Sequence, residues 1–314
     1  MAAIVTLTMN PALDIATTTD SVVPTRKLRC EAPRYDAGGG GINVARAVHA
    51  LGGDARAIFP AGGAAGEMIQ HLLHEEGVAH EVIAIAGFTR ESLAVEERRT
   101  GDQYRFILPG PEISSADQER CLEQLARATP QADYIIASGS LPLGVPEDFY
   151  QRVAGLAKRH AKRLVLDTSG AALKQAGHGI YLLKPSLREL EDLMGRQIRS
   201  EREEEQAARE VVAQGRSEVV VVSLGSRGAL LASAEGSERF PALRVQAKST
   251  IGAGDSMLAG IVLTLQRGLT LREAMRFGMA AGAAALLESG TQLCRLENVE
   301  QLHSQMPTAH PATK

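Results

Sequence analysis

Ser249-Thr-Ile-Gly-Ala-Gly-Asp-Ser-Met-Leu-Ala-Gly-Ile-Val262 sets two glycines and an aspartate directly before an apolar, helix-like run. The first turn of a helix has unpaired N–H groups and a positive dipole end, so it attracts negative charge. Two roles are open to Asp255. As an N-terminal cap it would contribute about 1 kcal/mol. Ser256 would cap equally well, and a cap needs no glycines beside it. The small residues Gly252, Ala253 and Gly254 leave consecutive amides free to form an anion hole. A carboxylate next to such a hole is suited to take a proton from a hydroxyl that attacks a bound phosphoryl group. The second role accounts for more of the stretch.

Outward from this stretch, short β-branched runs alternate with helical patterns. Strands are expected at Ile4-Val-Thr-Leu-Thr8, Tyr134-Ile-Ile-Ala137, Leu164-Val-Leu-Asp167, Tyr181-Leu-Leu-Lys184 and Val219-Val-Val-Val222. Helices are expected from Ile42 to Leu51 and near 117–128, 147–160, 187–194 and 201–214. Nearly continuous apolar strands separated by helices imply an α/β fold whose mostly parallel sheet is covered on both faces. Residues 12–35 and 88–107 depart from this pattern and read as antiparallel strands of a small lid outside the main sheet. The Pro/Ala/Thr-rich tail, 307–314, is expected to fray. One domain spanning 1–314 is the expected organisation.

A second glycine cluster, Asp36-Ala-Gly-Gly-Gly-Gly-Ile-Asn43, opens the helix that starts near Ile42 and invites close approach of a ligand. It is neither GxGxxG nor a Walker A loop, because the chain contains no Gly-Lys pair. Asp14 follows the first strand, where a parallel sheet presents its ligand crevice, although an Asp after Pro-Ala also suits a turn. Lys184 ends another strand and is placed to meet a phosphate as a point charge. Glu189 lies near the start of the next helix, suited to hold Mg2+ through water.

Composition excludes several classes. Of 314 residues, 44% are hydrophobic and 23% charged, as in ordinary globular enzymes. A formal net charge of -3 gives no electrostatic reason for a nucleic-acid partner. Cys30, Cys121 and Cys294 lack zinc-ligand spacing and suit a reducing compartment. No signal peptide or membrane span is expected, which points to the cytoplasm. His71, His74 and His80 near Glu75 do not form HExxH and read as a solvated face. Glu201-Arg-Glu-Glu-Glu205 reads as an exposed helix start. Met275, Phe277 and Met279 read as packing residues.

Taken together, Gly38-Gly-Gly-Gly-Ile-Asn-Val-Ala-Arg46, Asp167-Thr168 and the Gly-Ala-Gly-Asp of the opening stretch carry a resemblance. The sequence resembles the ribokinase/PfkB sugar kinase family over nearly its whole length. The resemblance implies a Rossmann-like, three-layer ribokinase fold with a small β lid that pairs with a second subunit's lid in a homodimer. It implies that Asp255 is the catalytic base and that Gly252, Ala253 and Gly254 form the anion hole. Asp14, Gly39, Gly40, Asn43 and Ser138 would hold the sugar, with Arg90 and Arg105 facing its phosphate. Lys184, Ser186, Ser223, Gly225 and Gly228 would contact ATP, and Lys27 a second, inhibitory nucleotide. Mg2+ would accompany ATP, and K+ would bind near Ser249, Ile251, Ala285, Gly290 and Gln292. Three residues depart from the family pattern: Ser186 replaces Asn in the NxxE motif, Leu143 replaces Pro, and Gln292 stands where near relatives have Arg.

The implied activity is ATP-dependent phosphorylation of fructose 6-phosphate at its 1-hydroxyl. The segments LTMNPALD, KLRCEAP, FPAGGA, SGSLP and VSLG support that branch. Relatives acting on fructose 1-phosphate or tagatose 6-phosphate carry Gly-Gly-Lys-Gly at the first cluster, against four glycines here; tagatose-6-phosphate kinase and 1-phosphofructokinase stay as the alternative enzymes, with tagatose 6-phosphate open as a further substrate. A sugar-phosphate sensor without catalysis is the alternative from another class.

Overall fold

Each apolar run read as a strand becomes one in the computed structural model, which describes residues 3–306; the tail expected to fray lies outside the described residues. In chain order the strands are β1 (Ile4–Leu7), β2 (Ala12–Thr19), β3 (Arg34–Gly38), β4 (Ala55–Ala61), β5 (Ala79–Ala84), β6 (Arg90–Glu97) and β7 (Gln103–Ile107). They continue as β8 (Tyr134–Ser138), β9 (Arg163–Asp167), β10 (Ile180–Leu183), β11 (Ser217–Ser223), β12 (Ala229–Ser233) and β13 (Gly236–Phe240). The helices are α1 (Gly40–Ala50), α2 (Gly63–Glu75), α3 (Ser115–Ala128), α4 (Phe149–Arg159) and α5 (Gly170–Lys174). After them come α6 (Leu187–Met194), α7 (Glu201–Ala213), α8 (Ala253–Gln266), α9 (Leu271–Ala285) and α10 (Leu296–Ser304).

The main sheet has the order β13-β12-β11-β10-β9-β8-β1-β4-β5. From β5 to β11 every pairing is parallel, and β12 and β13 add an antiparallel edge. Alternate residues of each strand serve opposite faces. Ile4, Ile136 and Val221 pack with α1, α8, α9 and α10, while Val5, Ile135 and Val220 pack with α3, α4, α6 and α7. Both faces are dry, which is why these strands read as unbroken apolar runs. Each fully buried Val, Leu or Ile contributes about 1.5–3 kcal/mol. Met275 and Met279 lie in the first of these cores, with Phe277 half-buried against it. No described helix is long and apolar enough to cross a membrane.

The second sheet, β3-β2-β6-β7, is the lid. Two expectations about it need correction. The β2–β6 pair is parallel, because the chain leaves β3 through α1, β4, α2 and β5 before returning; only β2–β3 and β6–β7 are antiparallel. Residues 20–33, read as strand, are mostly turn and irregular. The register sorts the lid's side chains by face. Ile15 lies opposite Tyr35 and Leu93, and Leu93 opposite Phe106, giving one apolar row across all four strands. The other face carries Asp14, Asp36, Arg90 and Arg105.

Two surface readings also change. Glu204 is buried, not exposed, because Arg227 and Arg239 close over its carboxylate. His71 and Glu75 form an exposed i,i+4 pair as expected of a solvated face, but His80 stacks on Phe59. Among the described residues, no group of three or more His, Cys, Asp or Glu could hold a metal ion.

Candidate active site

Helix α8 begins at Gly252, whose left-handed backbone (φ 75) turns the chain into the first helical turn without a side-chain cap. Asp255 is therefore in the first turn and is not its cap. Its carboxylate instead accepts a hydrogen bond from Asn43 Nδ2 at 2.9 Å, which joins the two glycine clusters across 212 residues of chain. Burial pushes the Asp255 carboxyl up to about 6, and the neighbouring Asp167 carboxylate adds to the shift. Such a group is ionised at neutral pH yet basic enough to take a proton.

Lys184, just past β10, donates to Asp167 at the end of β9, with Nζ–Oδ2 at 2.9 Å. Burial opposes the lysine's charge, but the carboxylates of Asp167, Asp255 and Glu189 outweigh it and raise its pKa. Lys184 Nζ lies 3.4 Å from where a side chain at Gly254 would begin, so the ammonium stands over the start of α8. Asp167 was not among the site residues singled out. Its signal was the same as that of Lys184: a polar residue closing an apolar run at a strand's carboxyl end.

The first cluster packs as tightly as its glycines permit. A side chain at Gly38 would start 2.1 Å from Asp14 Oδ2, and one at Gly40 only 2.2 Å from Ser138 Oγ. The cluster thus brings Asp14, Ser138 and Asn43 to one place. Burial pushes the Asp14 carboxyl up to about 6, against the pull of Arg90 and with a further push from Asp36. Arg90 donates to the Asn10 carbonyl at 3.1 Å, while its buried Nε has no partner in the protein. A buried donor without an acceptor is costly unless a ligand supplies one. Arg105 is exposed and close enough for its charge to lower the pKa of both Asp14 and Asp255.

The residues expected to meet ATP divide. Ser186, beyond the end of β10, is the bridge partner of Ser223, the last residue of β11, and Gly225 and Gly228 form the turn that follows β11. Lys27 stands exposed on the lid segment between β2 and β3, apart from that set in the fold. Ser186 caps α6 in a capping box: its Oγ accepts from Glu189 N at 3.3 Å, and Glu189 Oε2 accepts from Ser186 N at 2.7 Å. Glu189 therefore has a structural task besides any metal. Mg2+ takes one or two carboxylates and completes its shell with phosphates and water. Asp167 and Glu189, both near Lys184, fit that requirement.

Of the residues expected around K+, Ser249 Oγ donates to the Gly290 carbonyl at 2.7 Å and accepts from Ile251 N at 3.2 Å. Ala285 ends α9 just before this loop, and Gln292 N closes a turn onto the Ser289 carbonyl. The Ser249 hydroxyl and the Gly290 carbonyl, two uncharged oxygens side by side, are donors that suit a singly charged hard cation.

A family model described as pfkB family carbohydrate kinase matches residues 6–298. The chain is 53% identical over 298 residues to ATP-dependent 6-phosphofructokinase isozyme 2 of Mycobacterium tuberculosis, covering 95% of this chain and 88% of the relative. It superposes on the crystal structure of phosphofructokinase-2 from Escherichia coli in complex with potassium with TM-score 0.92 and 41% identity, over 97% of this chain and 99% of the other. The same enzyme in complex with fructose-6-phosphate gives TM-score 0.91 and 39% identity, over 97% and 99% of the two chains.

Proposed function

The chain belongs to the pfkB family of carbohydrate kinases, and we propose that it is an ATP-dependent 6-phosphofructokinase. It would convert fructose 6-phosphate and ATP to fructose 1,6-bisphosphate and ADP. The observation that carries this reading is the Asp255 carboxylate, held by Asn43 at the uncapped start of α8 and within reach of the charge of Arg105 in the lid. Similarity to 6-phosphofructokinases supports the choice of sugar.

Arg90 and Arg105 bind the 6-phosphate, with the free Nε of Arg90 as one donor. Asp14, Asn43, Ser138 and the amides of Gly39 and Gly40 hold the sugar so that its 1-hydroxyl meets Asp255. The amides of Gly252, Ala253 and Gly254, with the Lys184 ammonium, receive the γ-phosphoryl group and the charge that builds on it. The bond from O1 to the γ-phosphorus forms while the bond from that phosphorus to the β,γ-bridging oxygen breaks. The hydroxyl proton passes to Asp255, and ADP leaves with the bridging oxygen. Asp167 and Glu189 would hold Mg2+, which would neutralise phosphate charge. Ser249 and Gly290 would hold K+, which would supply a positive charge next to the segment that leads into the anion hole.

The lid also supports a homodimer. Tyr35, Leu93 and Phe106, members of the apolar row, are 42%, 36% and 52% exposed. Such a continuous apolar sheet face fits a second copy of itself. Turnover measured side by side on fructose 6-phosphate, fructose 1-phosphate and tagatose 6-phosphate with Mg-ATP tests the substrate. The highest kcat/KM should fall on fructose 6-phosphate. Absence of ATP consumption with all three would favour a sugar-phosphate sensor instead.

A further inference from the structure

Asp36 sits in β3 directly opposite Asp14, with its side chain 2% exposed. Its carboxylate is already paired with Arg34, at 2.8 and 2.9 Å, and with Arg46 at 3.2 Å. Arg46 in turn grips Glu76 and the Ala37 carbonyl, which fixes β3 to α1 and to the end of α2. Two guanidinium groups satisfy the buried charge. Yet Asp36 Oδ2 accepts a fourth hydrogen bond, 2.5 Å from Thr291 Oγ1, and this one leaves the cluster altogether.

Thr291 belongs to the loop that runs along the start of α8. The neighbouring Gly290 carbonyl accepts from Ser249 Oγ, and a side chain at Gly252 would start 2.6 Å from Leu293 Cδ2. Farther along, Cys294 N donates to Ser256 Oγ at 3.4 Å. The same loop abuts the lid, since a side chain at Gly290 would start 3.0 Å from Ala16 Cβ. One loop therefore lies behind the anion hole and against the strand that carries Asp14. The Thr291–Asp36 hydrogen bond pins it there.

We propose that Thr291 and Asp36 are positioning residues that fix the sugar-holding strand pair relative to the anion hole, setting the approach of the acceptor hydroxyl to the phosphoryl group. The proposal rests on the kinase reading above. Phosphoryl transfer depends on placing acceptor and donor within a few tenths of an ångström, and a 1 Å error costs about a hundredfold in rate. Neither residue has to touch a ligand for this effect.

Thr291→Val removes the hydroxyl and keeps the shape, while Thr291→Ser keeps the hydroxyl. The sugar phosphate for the test is whichever of the three candidates the wild type turns over fastest, and potassium chloride is saturating. Thr291→Val should lower kcat about tenfold, with KM for ATP within about twofold of wild type. Thr291→Ser should return kcat to within about twofold. The inference is overturned if the valine variant keeps its kcat. It is equally overturned if serine is as poor as valine, since packing and not the hydroxyl would then matter. A loss of kcat that potassium chloride above the level saturating for the wild type repairs would also overturn it, by assigning the hydroxyl to the cation loop. A wild type that turns over none of the sugars removes the kinase reading, and this inference with it.

Discussion

In the proposed reaction the start of α8 and the lid sheet work by opposite physical means. Every residue of α8 from Ser256 to Leu265 is buried, so the helix carries Asp255 on a support that has nowhere to move. In β7, Arg105, Phe106 and Ile107 are all exposed, and the lid has no second layer of its own. A rigid core suits the proton transfer, where small displacements are costly. A thin, charged sheet suits recognition, because it can supply arginines from outside the core. Damage to the first region should therefore appear in kcat, and damage to the second in KM for the sugar phosphate.

Asp255→Asn should give the largest effect. Loss of a general base costs about 100-fold to 10,000-fold in kcat, while equilibrium binding of both substrates changes little. Stability should move the other way. A folded-state pKa raised to about 6 means that the folded protein takes up a proton more readily than the unfolded chain. Stability is then highest below the ordinary carboxyl pKa and falls as pH rises through 6. At pH 7 the ionised carboxylate destabilises the fold by up to about 3 kcal/mol. The amide removes that cost, so the melting temperature should rise. A variant both slower and less stable would count against the preformed site.

Arg90→Ala comes next. It should raise KM for the sugar phosphate about 10–100-fold, the worth of a charge-assisted phosphate contact, and leave KM for ATP nearly constant. Equal changes for both substrates would erase the distinction between the two regions. Phe106→Asp places a charge in the exposed apolar row of the lid and should give a monomer by light scattering. A variant that keeps the wild-type mass would show that this face is not the interface.

Ser186 marks the small end of the scale. Ser186→Ala removes the α6 cap and should cost about 1 kcal/mol of stability. Asn caps as well as Ser and reaches farther, so Ser186→Asn should keep that stability and lower the Mg2+ needed for half-maximal rate about two- to threefold. An unchanged Mg2+ requirement would confine Ser186 to its capping box.

What the sequence made legible follows from the range of each interaction. The Gly-Ala-Gly-Asp turn and the four-glycine cluster are local patterns, and their close approaches, Gly38 to Asp14 and Gly40 to Ser138, explain why glycine is needed. The apolar strands were legible because both sheet faces are dry. Strands β4, β5, β12 and β13 were not singled out. Ala55-Arg-Ala and Ala79-His-Glu interrupt the apolar pattern, and β12 and β13 lie at an edge. The parallel β2–β6 pair depends on a crossover through the main sheet, which no short window contains. Thr291 and Asp36 are 255 residues apart, and each alone is an ordinary polar residue. Glu204 read as solvated because the arginines that bury it arrive from other elements.

In the proposed mechanism, burial beside Asp167 tunes Asp255 to accept the sugar's proton. The pH dependence of kcat at saturating substrates tests it most directly, because kcat reports the groups that ionise in the bound complex. Asp14, also raised to about 6, would contact the sugar in the proposed reaction and should register mainly in kcat/KM. The base must be ionised to act, so kcat should hold steady above neutrality and fall on acidification with an apparent pKa of about 6. In Asp255→Asn the residual kcat should lose that acid limb. A wild-type kcat flat down to pH 5, or an unchanged acid limb in the asparagine variant, would contradict the assignment of Asp255 as the base.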